Sequence, residues 1–193
     1  LKHWEKAAIP AAFYAEVRDG ENYAKAFPEH GVYGLSTYRT QVARKVGAKG
    51  TLREGKGWRT DAKRQALPDW HLDKLAALDM RVRVASSFEN THQKSYISEK
   101  IFDAFVVGGI PTYYADKEHQ VLTLVPETSM INTFGLSAEE AAKKIETFKP
   151  DAEFAKSWLE TARSLQATFT DEAAVVRERQ RVVDTIMDEL EKL

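Results

Sequence analysis

The chain has 193 residues, of which 43% are apolar and 30% charged, and its 28 basic residues nearly balance its 29 acidic ones. This composition is typical of a soluble globular protein, and a net charge of −1 argues against nucleic-acid binding. The sequence contains no cysteine, which excludes disulfides, thiolate nucleophiles and cysteine-ligated zinc. No segment approaches the roughly 18 consecutive apolar residues that a membrane-spanning helix needs, so no transmembrane segment is predicted.

The first half of the chain alternates between strand and helix patterns. An apolar run that ends before Asp19-Gly20 predicts a strand, because this dipeptide is a turn signal. Ser36 or Thr37 would cap the helix that follows. In chain order, the predicted elements are a strand at 9–17, a helix at 36–46, a glycine- and lysine-rich stretch at 47–57, a loop at 58–70, a helix at 71–78 and a strand at 80–84.

The second half continues the alternation and then becomes helical. A helix over 98–107 ends at two glycines, strands are predicted at 110–114 and 130–136, and Ser137 with Glu140 forms a capping box. After Pro150 the pattern is helical almost to the end. The alternation predicts an α/β fold: a Rossmann-like parallel sheet with helices on both faces and a helical C-terminal extension.

Three familiar motifs are incomplete or absent in this sequence. Residues 50–57 resemble a Walker A loop, but Gly57 stands where the magnesium-binding hydroxyl residue belongs. Residues 34–38 lack the second glycine of a nucleophile elbow. The five histidines are scattered, with no His-x-x-x-His pair. We therefore predict no P-loop, no serine hydrolase and no histidine metal site.

The polar segment from Phe88 to Lys100 is the strongest candidate site. It lies between a predicted strand and a predicted helix, where open α/β sheets bind ligands. Lys100 falls in the first turn of that helix, where the macrodipole disfavours a cation but free N–H groups attract an anion. A phosphate bound by both would explain this placement. The alternative is that Lys100 extends into water beside Glu99.

The same segment carries a family resemblance. Phe88-Glu-Asn-Thr91, Tyr96-Ile-Ser-Glu-Lys100, Asp103-Ala104 and Gly109-Ile-Pro111 resemble the signature of the α-1,3/α-1,4-fucosyltransferases, glycosyltransferase family 10. Upstream, the sequence from Arg39 to Arg44 resembles the arginine-bearing helix of that family. The resemblance covers residues 10–150.

The resemblance implies one half of a two-domain enzyme of the GT-B arrangement. In that family the C-terminal Rossmann-like domain binds GDP-fucose, and the N-terminal domain binds the acceptor and carries the carboxylate base. The implied division is a nucleotide-sugar (GDP-fucose) binding domain at 1–150 and C-terminal helices at 151–193, which pack on it or on a missing N-terminal domain.

The end of the chain carries an apolar stripe. The last helix of a GT-B enzyme often crosses to the N-terminal domain. We therefore expect the stripe to be partly exposed or covered by a neighbouring copy. It consists of Val176, Val183, Ile186, Leu190 and Leu193.

The resemblance also assigns roles to residues. Arg39 and Lys100 would bind the diphosphate and Glu99 the ribose hydroxyls. Tyr96 would line the phosphate and sugar region, with Asn90 and Glu89 nearby. No catalytic residue is expected in this chain. Two fixed cations can stabilise the charge that grows on the leaving GDP, so no cofactor is expected and a divalent metal would at most stimulate.

The expected function is that of the donor-binding domain of an inverting fucosyltransferase. Its partners would be GDP-fucose and, through the missing domain, a glycan acceptor, with no nucleic acid. Its expected location is cytoplasmic, or peripheral to the inner face of a membrane if the source is bacterial. Two alternatives are the same fold serving another nucleotide-sugar or only binding it, and an α/β interaction module whose motif is coincidental.

Overall fold

A computed structural model describes residues 1–58 and 68–192. Most of the predicted loop at 58–70, and Leu193 of the apolar stripe, lie outside these residues. The strands are β1 (Ile9–Tyr14), β2 (Ala26–Phe27), β3 (Val32–Gly34), β4 (Leu52–Glu54), β5 (Val82–Ser86), β6 (Thr91–His92), β7 (Ile110–Tyr113) and β8 (Ile131–Asn132). The α-helices are α1 (Lys2–Glu5), α2 (Ser36–Lys45), α3 (Trp70–Leu78), α4 (Glu99–Val106), α5 (Val121–Leu124), α6 (Ala138–Thr147), α7 (Ala152–Thr170) and α8 (Glu172–Leu190).

The main sheet has five parallel strands in the order β4-β1-β5-β7-β8. The chain builds outward from β1 in one direction to β4, and then in the other direction from β5 to β8. The topological switch point therefore lies between β1 and β5, and open α/β sheets bind their ligands beyond the carboxyl ends of the strands at such a point.

Helices cover both faces of this sheet, as predicted. Alternate residues of a strand point to opposite faces, so neighbouring residues of β1 join different cores. On one face Phe13 packs with residues of α2 and α6. On the other face Ala12 packs with Leu78 of α3 and Ala104 of α4. The Rossmann-like fold prediction is confirmed.

One strand, β4, was not predicted. It lies inside the glycine- and lysine-rich stretch, has three residues and pairs with β1 as its parallel neighbour. A Cβ at Gly55, just after it, would lie 2.6 Å from the carbonyl oxygen of Ala15. This glycine therefore permits the close approach of the two chains. Three residues of the Walker-like sequence thus form an edge strand.

A second, antiparallel sheet was also not predicted. Its order is β2-β3-β6, and Gly34 at the end of β3 pairs with Thr91 of β6. Because β6 follows β5 and α2 follows β3, this small sheet brings the start of α2 beside the loop after β5. The N–H of Leu35 donates to the carbonyl of Asn90 over 2.8 Å.

The two C-terminal helices differ in how they contact the rest of the chain. In α7, Thr161 and Leu165 are buried, and the Trp158 indole donates to the Gly109 carbonyl over 3.0 Å. In α8 no residue is buried. The predicted exposure of the stripe is confirmed for its described members, whereas what covers it and the boundary at 150 remain predictions. Among the described residues, no helix has the length and apolar character needed to cross a membrane.

Candidate functional site

The candidate site is built on the loop after β5. Phe88 anchors this loop, because its side chain is fully buried and packs edge-on against Tyr38 of α2. Glu89 and Asn90 come next, at the carboxyl edge of the sheet next to the switch point. Glu89 contacts the start of α4, and Asn90 contacts α2. The loop therefore connects the helix layers on the two faces of the sheet.

Glu89 is a buried carboxylate that organises the start of α4. It is 2% exposed. Its Oε1 accepts from the N–H of Ser98 over 2.8 Å, and the Ser98 hydroxyl donates to Oε2 over 2.7 Å. The hydroxyl of Tyr113 lies 3.5 Å from Oε1. A negative charge at this position complements the positive end of the helix dipole. Through these contacts Glu89 supports the start of α4. Its donor-binding role remains a prediction.

Lys100 folds back onto this carboxylate. Its Nζ lies 3.1 Å from Glu89 Oε2 and 2.7 Å from Ser98 Oγ, and its side chain is 20% exposed. The alternative in which Lys100 extends into water is therefore wrong. Glu89 holds the ammonium at the first turn, against the preference of the helix dipole.

Glu99 is the carboxylate of the site that is open to solvent. Its side chain is about half exposed, and its Oε1 lies 3.4 Å from Lys100 Nζ. Burial by itself raises the pKa of Glu99, but the Lys100 ammonium and the backbone N–H of Glu99 outweigh burial, and the pKa lies below its ordinary value. At neutral pH this group is an anion able to accept hydrogen bonds from hydroxyl groups.

Arg39 contacts the loop from the other helix layer. It is the fourth residue of α2 and is buried, and its Nη1 donates to Asn90 Oδ1 over 2.5 Å. Two predicted site residues, Arg39 and Asn90, are thus brought into direct contact although they are far apart in sequence.

The two predicted phosphate-binding cations therefore flank one loop. Arg39 donates a hydrogen bond to Asn90, and Lys100 donates one to Glu89, the residue before Asn90 in the loop. Their helices lie on opposite faces of the sheet but begin at the same edge. That both cations contact one phosphate remains a prediction.

Tyr96 lies in the segment that leads into α4. Its side chain is partly exposed, and its carbonyl oxygen lies 3.5 Å from the hydroxyl of Tyr113. Burial raises the pKa of Tyr113, and the nearby Glu89 carboxylate raises it further. Tyr113 therefore remains a neutral hydroxyl that supports both Glu89 and the Tyr96 segment.

A buried charge cluster between α3 and α4 was not predicted. Lys74 of α3 donates to Asp103 of α4 over 2.7 Å, and both side chains are 8% exposed. His71 Nε2 lies 2.9 Å from each oxygen of the same carboxylate. Asp103 belongs to the family-like sequence, but its partners lie some thirty residues upstream. His71 and Lys74 are three residues apart in the predicted helix, and this spacing was the only sequence signal that they share a face.

An aromatic cluster at the ends of β6, β7 and β8 was also not predicted. The His92 ring is buried, lies near Tyr114 and Phe134, and places Nε2 3.0 Å from Asp116 Oδ2. Within the described ranges, no group of three or more His, Asp or Glu side chains is arranged to hold a metal ion. The sequence offered no signal for this cluster, because its members come from separate strand ends.

The chain matches a protein-family model over more than half of its length. The family model described as "Glycosyltransferase family 10 (fucosyltransferase) C-term" matches residues 64–188. The chain belongs to glycosyltransferase family 10. The matched range contains Glu89, Glu99 and Lys100, whereas Arg39 lies upstream of it. A comparison with curated proteins finds no match. At family level, the activity is glycosyl transfer.

Proposed function

We propose that this chain is the donor-binding domain of an inverting fucosyltransferase and binds GDP-fucose at the loop after β5. The observation that carries the proposal is the paired arrangement at this loop. A buried arginine contacts Asn90, and a half-buried lysine contacts Glu89. The loop also follows a strand at the switch point, where ligands bind in sheets of this type.

The residue types suit a diphosphate that leaves with increasing negative charge. Arg39 offers a planar guanidinium that can contact two phosphate oxygens, and Lys100 offers a point charge. Fixed cations are most effective where charge develops in the transition state. In this proposal these two side chains supply that stabilisation without a required metal, and Glu99 accepts hydrogen bonds from the ribose hydroxyls.

The acceptor and the catalytic base are assigned to a second domain, as the family resemblance implies. The chain by itself is then expected to bind the donor without transferring the sugar, since positioning of the acceptor is worth several orders of magnitude in rate. Robust transfer to a lactosamine-type acceptor by this chain alone would contradict this division.

Calorimetric titration of the 193-residue chain tests the donor. Separate titrations use GDP, GDP-fucose, GDP-mannose and UDP-glucose, each with and without a chelator. GDP and GDP-fucose are expected to bind more tightly than UDP-glucose, with no effect of the chelator. Equal affinity for UDP-glucose would favour a different nucleotide-sugar. Absence of binding to all four would favour an interaction module.

A further inference from the structure

An open cleft lies beside the carboxyl ends of β7 and β8. Its volume is about 1000 Å³, at the upper end of the range for ligand-binding clefts. Asp116, which follows β7, and Phe134, which follows β8, line it together with Glu127 and Lys144. We name this surface the β7–β8 cleft. None of these four residues was among the predicted site residues.

The β7–β8 cleft adjoins the segment that carries the candidate donor site. The N–H of Gln120, in the loop after β7, donates to the carbonyl of Lys94 over 2.8 Å. His92 of β6 places Nε2 3.0 Å from Asp116 Oδ2. The wall of the cleft and the segment from Phe88 to Lys100 are therefore fixed to one another.

Asp116 offers a fixed carboxylate to the cleft. Its side chain is 30% exposed. Burial by itself raises the pKa of Asp116, but the backbone N–H of Glu118 and the His92 ring outweigh burial, and the pKa lies below its ordinary value. At neutral pH Asp116 is an anion, and such a group accepts short, strong hydrogen bonds from hydroxyl groups.

The His92 ring gives a second, independent observation at this place. The ring is 4% exposed, and its Nδ1 is buried with no hydrogen-bond partner among the described residues. Buried polar atoms without a partner are uncommon in folded proteins and call for an explanation, such as a functional role.

Phe134 offers an exposed aromatic ring to the same cleft. The residue is 46% exposed, although its ring lies 5.1 Å from that of Tyr114 and 5.7 Å from that of His92, between centroids. Its N–H donates to Asn132 Oδ1 over 3.1 Å. The ring is thus held in place while about half of the residue stays accessible. The negative face of an aromatic ring attracts the C–H groups on the apolar side of a sugar.

We propose that the β7–β8 cleft binds a sugar ring, which stacks on Phe134 and donates hydroxyl hydrogen bonds to Asp116. This inference rests on the proposed function, because the cleft adjoins the site proposed for the nucleotide-sugar. The sugar has two sources there: the sugar that the donor transfers, and a residue of the acceptor glycan. Both have a C–H face and several hydroxyl groups, which is the chemistry that the cleft complements.

The polar character of the cleft argues against the nucleobase as its occupant. A base is flat, and proteins bind it mainly by stacking on its faces. The β7–β8 cleft is open and carries charged side chains of both signs, which are Asp116, Lys117, Glu118, Glu127 and Lys144. Hydrogen-bonding groups of this kind around an aromatic ring suit a ligand with many hydroxyl groups.

Calorimetry of the 193-residue chain tests the cleft with three probes: GDP, GDP-fucose and a lactosamine disaccharide. Phe134→Ala and Asp116→Asn are each expected to weaken binding of a sugar-bearing probe by about tenfold or more, because each removes a contact with the sugar. GDP binding is expected to stay unchanged. A loss confined to GDP-fucose would assign the cleft to the transferred sugar, and a loss confined to lactosamine would assign it to the acceptor; either result supports the proposal.

Matched variants separate stacking and charge from general damage. Phe134→Tyr keeps the ring and is expected to retain binding. Phe169→Ala removes an exposed phenylalanine of α7, and Asp188→Asn removes an exposed aspartate of α8; neither is expected to change any of the three affinities. Circular dichroism checks folding. If Phe134→Ala does not fold, Phe134→Leu, which keeps apolar bulk without the ring, is expected to show the same loss.

Three outcomes would overturn the proposal. Equal weakening of GDP and GDP-fucose binding would assign the cleft to the base or the phosphates. Unchanged binding of all three probes by folded Phe134→Ala and Asp116→Asn would leave the cleft without a role in sugar binding. An unmodified chain that binds GDP and GDP-fucose equally, and does not bind lactosamine, would show no recognition of a sugar.

Failure of the proposed function gives a different result. The unmodified chain would then bind neither GDP nor GDP-fucose. In that case the lactosamine titration alone decides the proposal for the cleft: binding that Phe134→Ala weakens would support it, and no binding would overturn it.

Discussion

The start of α4 and the whole of α8 use charged residues in opposite ways. At the start of α4, Glu89 is buried and holds both Ser98 and Lys100. In α8 every charged side chain is exposed, and its ion pairs are local. Burial gives each polar group at α4 a defined partner and direction, because an unpaired buried group is costly. The comparison locates the preorganised site at α4, where buried groups hold one another in place.

The largest expected difference concerns Asp103 inside α4. Asp103→Asn removes the charge partner of the buried Lys74, and breaking such a pair costs about 3–5 kcal/mol. The free energy of unfolding in urea is the measurement. Glu178→Gln, which removes an exposed partner of Arg181 in α8, is the control and is expected to change stability by less than about 0.5 kcal/mol. Equal effects of the two variants would show that burial does not distinguish the charged residues of α4 from those of α8.

A smaller loss of stability is expected at the site itself. Glu89→Gln retains the shape of the side chain but leaves Lys100 without its buried counter-charge. Loss of a hydrogen bond to a charged group costs about 1.5–3 kcal/mol. Urea unfolding measures the change, with Glu189→Gln, whose partner Lys192 is exposed, as the control. A variant as stable as the unmodified chain would show that Glu89 does not support α4.

The next prediction concerns GDP binding. Arg39→Ala and Lys100→Ala are each expected to weaken binding by about 1.5–3 kcal/mol, because each removes a hydrogen bond between charged groups. This corresponds to roughly 10- to 150-fold, measured by calorimetry. The effects of the double variant are expected not to add, since both side chains would share one ligand.

Two controls separate phosphate recognition from general damage. Guanosine, which lacks phosphate, is expected to be nearly indifferent to either variant. Arg44→Ala removes an exposed arginine of the same helix that pairs with Asp19, and it is expected to leave GDP binding unchanged. Additive losses in the double variant would contradict a shared phosphate.

The smallest expected effect is a pH dependence from Glu99. Its pKa is lower in the folded chain than its ordinary value of 4.5, so its charged form stabilises the fold above that pH. This contribution is lost as the pH falls through the lower, folded pKa. Relative to Glu99→Gln, the chain is expected to gain less than about 0.5 kcal/mol at pH 7, because the group is half exposed.

Unfolding of both proteins in urea at pH 7 and pH 3 measures this effect. The stability difference between them is expected to shrink at pH 3. A difference that grows on acidification would reverse the assigned sign and would indicate that burial, rather than Lys100, dominates the environment of Glu99.

Local sequence patterns predict the fold class and the segment that carries the candidate site. The helical spacing at 71–78 and the capping box at Ser137 correspond to α3 and α6 in the structure. These features depend on residues close together in sequence, which act through periodicity and local hydrogen bonds. The family-like segment from Phe88 to Lys100 is also local.

The arrangement of that segment depends on contacts between parts of the chain that are distant in sequence. The three-residue strand β4 and the small sheet are too short for a periodic signal, and they form because neighbouring strands offer unpaired backbone groups. The direction of Lys100 depends on the burial of Glu89, and the position of Arg39 depends on Asn90. Contacts between residues distant in sequence set these side chains, because burial permits charged groups only where a partner is already in place.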